Sequence, residues 1–549
     1  MVVGFLCLFV GAGIWSLSSL GVNIAALVQG VSNAEIFIRR TWPLSLPSAE
    51  EVLQQTGITL STVLLATLLS IALSLPLAVW ASSVTTPSKL HRFTSRGVIV
   101  AARAVPDVVL AILFVRLFGL GVLPGILAMG LHSIGMVGKL YADAIEQTSP
   151  GPREALNSIG ATRTQRLLTA VVPQVLPAFI AIGLHRFDIN LRVSAVLGVV
   201  GVAGIGFEMT NAFARLDFGL GISWALILLL LCLLTEMVSA AIRRVLLRGS
   251  GEGEFGAHRF RPRLFRGRRP SGTDVPLTPP LTASPLGTAR RVSPPFSFAR
   301  ARRWVYTVIV VAAVVASLFG GGALEARASA GWAGFFTTLG LFWPPGDAGM
   351  LDRLLLALVE TVQIGLAATF LGALLAVPVG TLAARNISGN RAVHGAFRGF
   401  VLVVRGLPEL IVAIVFVVVI GLGPVAGVLA LALGSVGLLG KLVADSLEEV
   451  DAGPLEAMSA LGSSRTQRYF TAVLPQAAPA LIGGLLYQLD VNIRSATLLG
   501  LVGAGGVGFY LLQATQTREY EVITLITLMT FTVVFALELV SMLLRRLVR

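Results

Sequence analysis

The chain repeats itself. Sliding the 549-residue sequence along its own length brings three blocks into register at one offset, 302 residues, with no gap. GKLYADAIEQ at 138–147 recurs as GKLVADSLEE at 440–449, and LTAVVPQVLPAFI at 168–180 as FTAVLPQAAPALI at 470–482. DINLRVSAVLGVVGVAGIGF at 188–207 returns as DVNIRSATLLGLVGAGGVGF at 490–509, identical at ten of twenty positions. Arg103, Pro106 and Glu236 find Arg405, Pro408 and Glu538 at the same spacing. A single long period means that one folded unit is present twice in tandem.

The unit belongs in a membrane. Hydrophobic residues make up 55% of the chain and charged residues 13%, against roughly 25% charged in a soluble domain. With mean hydropathy at +0.84, a soluble enzyme, a disordered chain and a coiled coil are excluded. Apolar stretches long enough to cross about 30 Å of hydrocarbon as helix fall near 3–28, 57–81, 98–118, 122–142, 177–200 and 220–245. A second set falls near 304–324, 358–383, 400–420, 424–446, 479–502 and 521–544. The expected fold is an all-α integral membrane protein of two six-helix halves, about twelve spans. The N-terminal stretch lacks a basic leader and is too long for a signal peptide, so it reads as a retained span. Two copies with the same loops on the same side each need an even number of spans. Repeats of this kind are related by an axis along the membrane normal and can enclose a path between them.

The net charge of +14 cannot sit in the bilayer. Residues 248–303, between a first half at 1–247 and a second at 304–549, are Arg-, Pro- and Gly-rich with no apolar period, which marks a flexible linker. It holds twelve Arg against Glu252, Glu254 and Asp274, a balance of +9. Next to spanning helices this is a cytoplasmic loop obeying the positive-inside rule, not a nucleic-acid site. Lys89, Arg92, Arg96, Arg385, Arg391, Arg398 and the C-terminal RRLVR agree, so both termini and the linker are expected in the cytoplasm. Arg39 and Arg40 are an exception on the outer side. Only three of the 42 basic residues are Lys, which suggests a GC-rich bacterial genome.

Several apparent motifs carry no chemistry. Cys7 and Cys232 lie in apolar runs, and the five histidines show no metal-binding spacing, so no metal is expected. GAGGVG at 503–508 follows a span instead of a strand, and its twin GVAGIG lacks the second glycine. GMVGKL and GLLGKL are not phosphate loops, because Leu follows the Lys. A nucleotide therefore has to bind elsewhere.

The most informative segments lie between the fourth and fifth spans of each half, at 151–177 and 453–479. GPREALNSIGATRTQRLLTAVVPQVLP and GPLEAMSALGSSRTQRYFTAVLPQAAP read as a short helix, a glycine turn and a second helix that ends before the membrane. These loops resemble the EAA loop by which permeases of binding-protein-dependent ABC importers couple to their ATPase. The match falls on Glu154, Ala155, Gly160 and Pro173, and on Glu456, Ala457, Gly462 and Pro475. The usual third residue, Ala, is replaced by Leu156 or Met458. In that reading Glu154 and Glu456 face a basic partner surface, with Arg163, Arg166, Arg465 and Arg468 shaping the rest. RGLPEL (405–410), GLGPVAGVLALALGSVGLLGKL (421–442) and YQLDVNIRSATLLGLVGAGGVGF (487–509) look like the phosphonate/phosphate-type permease. HRFDINLRVSAVLGVVGVAGIGF gives the first half a weaker version.

The resemblance implies a methionine-importer-like type I permease fold and phosphonate, phosphate or phosphite as cargo. It implies as partners two copies of a cytoplasmic ATPase that binds ATP-Mg, and an extracytoplasmic solute-binding protein. No cofactor would bind this chain, which would be no enzyme, and one chain would form the complete pore within membrane lipid.

Charges inside the spans leave two readings open. Asp188, Asn190 and Arg192 recur as Asp490, Asn492 and Arg494. An Asp and an Arg at i and i+4 share a helix face and can neutralise each other. Alternatively, Arg192 and Arg494 face each other across the pseudo-twofold axis and offer guanidinium forks to an oxyanion along the translocation path. Arg103 with Asp107 and Arg405 with Glu409 sit near the cytoplasmic ends of spans, where snorkelling is expected. The rival function is an ion-coupled secondary carrier with Asp188 and Asp490 as coupling acids. A permease for amino acids or sulfonates is another alternative.

Overall fold

A computed structural model describes residues 2–22, 24–248, 308, 311–318 and 334–548. Among the described residues the protein is helical throughout, and its only β pairing is an isolated bridge between Gly121 and Val202. Among the described residues, eight helices are long and apolar enough to span a membrane. They are Ala49–Ala81, Val122–Glu146, Arg163–Val199 and Phe218–Arg243 in the first half, and Leu351–Ala383, Pro424–Glu448, Arg465–Val502 and Tyr520–Val540 in the second. Bent helix pairs raise the number to ten if each pair is one span.

Three of the expected spans come out differently. The stretch near 3–28 is two helices, Val2–Ser19 and Ile24–Thr41. Gly21 takes the left-handed φ of +70° that ends the first, and the Val22 N–H returns to the Leu17 carbonyl at 3.0 Å, a helix stop that glycine favours. The stretches near 98–118 and 400–420 are sharply broken. Lys89–Arg103 meets Asp107–Phe118 at 84°, and Arg391–Gly406 meets Glu409–Ile420 at 83°. Val105 and Leu407, each followed by proline, take extended backbone. A proline disfavours the helical conformation in the residue before it, and here the helix breaks there although the apolar run continues. The stretch near 304–324 and nearly all of the linker lie outside the described residues.

Each half is built on a closely packed pair, Ala49–Ala81 against Val122–Glu146 and Leu351–Ala383 against Pro424–Glu448, with the Arg163–Val199 or Arg465–Val502 helix laid across both. Small residues allow the approach, as membrane helices require when lipid and side chain are equally apolar. The pattern is sharpest at Gly135 and Gly437. A Cβ there would stand 2.7 Å from the backbone nitrogen of Arg103 or Arg405, so the bare backbone is what seats these two arginines.

Candidate functional site

The two loops at 151–177 and 453–479 are alike in detail. Pro150–Ser158 and Ala452–Ala460 are nine-residue helices. Each stops at a left-handed glycine, Gly160 at φ +76° and Gly462 at φ +73°. The next N–H reaches back to close the end: Ala161 to the Leu156 carbonyl at 3.0 Å, and Ser463 to the Met458 carbonyl at 3.2 Å. The chain restarts at once through a reciprocal cap, Thr162 with Gln165 and Ser464 with Gln467. Arg166 donates to Asn157 Oδ1 at 2.6 Å and Arg468 to Ser459 Oγ at 2.7 Å, locking the angle between the two helices. Arg163 reaches the Pro87 carbonyl at 3.4 Å.

The second helix does not end before the membrane, as the sequence suggested. It runs on as one helix to Val199 or Val502 through a single wide turn, Leu167–Val171 or Tyr469–Val473. Pro173 and Pro475 have no N–H to give, so the register slips and the Val172 and Leu474 N–H groups reach back five residues, to Leu167 and Tyr469. The glutamine after each proline uses that slack. Gln174 Nε2 donates to the Ala170 carbonyl at 2.6 Å while its Oε1 accepts from Ser149 N–H at 3.0 Å. Gln476 bridges Ala472 and Asp451 at 2.7 and 3.1 Å. The start of each short helix is thus fastened directly to the spanning helix.

What the loops present outward is a carboxylate beside apolar surface. Glu154, Ala155, Glu456 and Ala457 are exposed, and among the described residues neither glutamate makes a hydrogen bond or ion pair. Ile159 is 76% and Leu461 80% exposed. A large aliphatic side chain on the tip of a rigid turn, beside an unpartnered acid, is a surface shaped for contact.

Within the spans, the residues expected to share one path separate into two settings. Asn190 and Asn492 are buried and stitch their own halves. Asn190 Nδ2 donates to Thr67 Oγ1 at 3.0 Å, and its Oδ1 lies 3.2 Å from Ser133 Oγ. Asn492 does the same with Thr369 at 2.8 Å and Ser435 at 3.2 Å. The charged residues instead form a seam that crosses between the halves. Arg103 pairs with Glu538 at 3.1 Å, and Arg405 pairs with Glu236. Each pair joins one half to the other, a partner that the sequence did not suggest for either arginine.

The equivalent Asp–Arg pairs also part company. Asp490 and Arg494 bind each other. Asp188 instead accepts from Ser239 Oγ at 2.9 Å and pairs with Arg243 at 3.5 Å, while Arg192 pairs with Glu236 at 3.0 Å. Self-neutralisation along one helix therefore holds in the second half only. Glu236 gathers Arg192, Arg243 and Arg405.

Sequence reasoning missed Gln174 and Gln476 as fasteners, Glu236 as the hub of the seam, and Arg186. The signals were present: a Pro-Gln pair repeated at 302, a membrane glutamate repeated at 302, and an arginine standing opposite Gln488.

Comparison with known proteins follows the same division. The family described as binding-protein-dependent transport system inner membrane component matches twice, over residues 74–248 and 376–549. The phosphate-import permease protein PhnE of Mycolicibacterium smegmatis is 40% identical over 519 residues, 94% of this chain and 89% of that protein. The phosphite transport system permease protein PtxC of Stutzerimonas stutzeri is 39% identical over 34% of this chain and 68% of its own length. Among solved structures, the inward-facing MetNI methionine ABC transporter aligns at 24% identity over 36% of this chain and 98% of that one, with a TM-score of 0.33.

Proposed function

Given that the chain belongs to the family of binding-protein-dependent inner-membrane transport components, we propose that its two halves together form the whole pore of an importer for phosphorus oxyanions. It is a multi-pass permease subunit of an ABC importer and not an enzyme, in a family whose members work with an ATPase and a solute-binding protein. The observation that carries the fuller reading is that one chain bears two complete coupling loops, each with an exposed, unpartnered glutamate. Two ATPase copies, holding ATP-Mg themselves, grip the surfaces around Glu154 and Glu456 from the cytoplasm, the side on which the termini and the linker also lie. No cofactor is held by this chain. The oxyanion cargo, phosphate, phosphite or phosphonate, is supported by the names of the relatives.

Movement of the ATPases is passed on through bonded contacts. A force on the Pro150–Ser158 helix acts through Gln174 and Arg166 on the Arg163–Val199 helix, which carries Asp188 and Arg192 to the seam between the halves. In the second half Gln476 and Arg468 tie the Ala452–Ala460 helix to the Arg465–Val502 helix in the same way, but there Arg494 is bound to Asp490 of its own helix. Closure on ATP then rocks one half against the other and alternates access to a path along the seam.

The test is the E154A/E456A double variant, reconstituted with its ATPase and binding protein. Phosphate uptake is expected to be lost while the ATPase still hydrolyses ATP. Uptake equal to that of the unchanged protein overturns the assignment.

A further inference from the structure

The two halves differ at one buried position of their polar core, and the difference is a whole charge. Asn190 and Asn492 are each flanked one helical turn earlier by a residue that also bonds the neighbouring serine. In the second half this is Gln488, whose Nε2 donates to Ser435 Oγ at 3.0 Å and to Asn492 Oδ1 at 2.9 Å. In the first half it is Arg186, whose Nε donates to Ser133 Oγ at 2.7 Å. Serine needs only one such donor, and an amide supplies it without charge. The guanidinium is therefore not explained by the packing it takes part in.

Arg186 is 4% exposed, yet among the described residues it makes no ion pair. Its remaining contact is Nη1 with the Met136 sulfur at 3.5 Å. The other arginines of the seam are all neutralised: Arg103 by Glu538, Arg192 and Arg405 by Glu236, Arg243 by Asp188 and Glu236, and Arg494 by Asp490. Asp107, the acidic group that acts on Arg186 from a distance, uses Oδ1 to accept its own helix's Val108 N–H at 2.9 Å. A buried cation with no bonded anion is costly and is kept where something anionic visits it.

The surroundings lie toward the second half. His132, next to Ser133, holds the Val105 carbonyl at 2.9 Å and lies in the electrostatic reach of both Arg186 and Arg494, the latter from the other half. Residue 434, its counterpart 302 positions on, is Gly, and a Cβ there would meet the Glu409 side chain at 3.6 Å. Both halves have a carboxylate close by, Asp107 or its counterpart Glu409, so what differs is that the first half offers a guanidinium and an imidazole where the second has an amide and a glycine.

We propose that the transported oxyanion is held asymmetrically, on the first half, by the fork of Arg186, whose vacant donors come free when the halves part, and that the second half's equivalent position is a neutral wall. This rests on the oxyanion reading given above. Bidentate donation to two oxygens of a tetrahedral anion is what the planar fork is shaped for. The doubled chain would have allowed this specialisation, because a change in one half is not forced on the other.

R186Q tests it and installs the side chain that the second half already accommodates. The full chain, with its ATPase and binding protein, is assayed in proteoliposomes with inorganic phosphate, phosphite and methylphosphonate. Uptake is expected to fall about tenfold or more, the loss of one charge-assisted bidentate contact, while ATP hydrolysis stimulated by the loaded binding protein persists. Uptake within twofold of the unchanged protein overturns the proposal. R186K supplies the second measurement: it keeps charge without the fork and is expected to restore part of the uptake. An inserted R186K as inactive as R186Q also overturns it, because charge would then not be the requirement. If the unchanged complex carries none of the three anions, it is the oxyanion reading that fails, whatever R186Q does.

Discussion

At the scale of single residues, the structure depends on places where a side chain is absent or unpaired. Gly437 is one. Its missing Cβ lets the Arg405 backbone approach, with the Arg405 Cα 2.9 Å and the Val404 carbonyl carbon 3.1 Å from where that Cβ would stand. These neighbours are backbone, which cannot rotate aside. G437A is therefore expected to lower stability by about 1–3 kcal/mol, read as an earlier thermal transition of the purified protein, and to weaken the Arg405–Glu236 link. An unchanged transition temperature would show that the two helices have room to separate.

The sequence made some of this legible and hid the rest for physical reasons. Gly160, Gly462, Pro173 and Pro475 announce themselves because each enforces a backbone geometry, and backbone constraints are local. Arg192 did not reveal its partner. Asp188 is four residues away and Glu236 is forty-four, and only packing decides that the distant one wins in the first half while the near one wins in the second. Arg186 was hidden differently: nothing about an arginine in HRFDIN is unusual until its twin is seen to be Gln488 inside the same hydrogen-bond cluster.

At the scale of elements, the seam is asymmetric, and its two cross-links should not be equally strong. Glu236 is buried and holds three guanidinium groups, whereas the Glu538 side chain is 46% exposed and pairs with Arg103. Removing a buried anion leaves uncompensated cations, at a cost of about 3–5 kcal/mol. Removing one from a half-exposed pair costs less than about 1 kcal/mol. E236Q should therefore destabilise the protein markedly and E538Q barely, in parallel thermal unfolding experiments. Equal effects would mean that the seam is solvated alike on both sides. The broken helices at Pro106 and Pro408 belong to this scale too. Counting apolar residues cannot detect them, because the apolar run continues through the break while the helix axis turns by more than 80°.

At the scale of the whole molecule, two copies of one unit are joined in a single chain, and the Arg103–Glu538 and Arg405–Glu236 pairs link one copy to the other. Within one chain the two copies can differ at a single position, as they do at Arg186 and Gln488. The halves keep the same short helix, glycine turn and reciprocal cap, and differ in the polar core, at Arg186 and Gln488.

The central claim, that a single chain supplies both sides of the pore and both docking sites, is tested most directly by the mass of the intact complex. Purified with its ATPase and measured by native mass spectrometry, the assembly is expected to contain one 57.7 kDa permease chain and two ATPase subunits. A complex holding two permease chains for two ATPase subunits would contradict it.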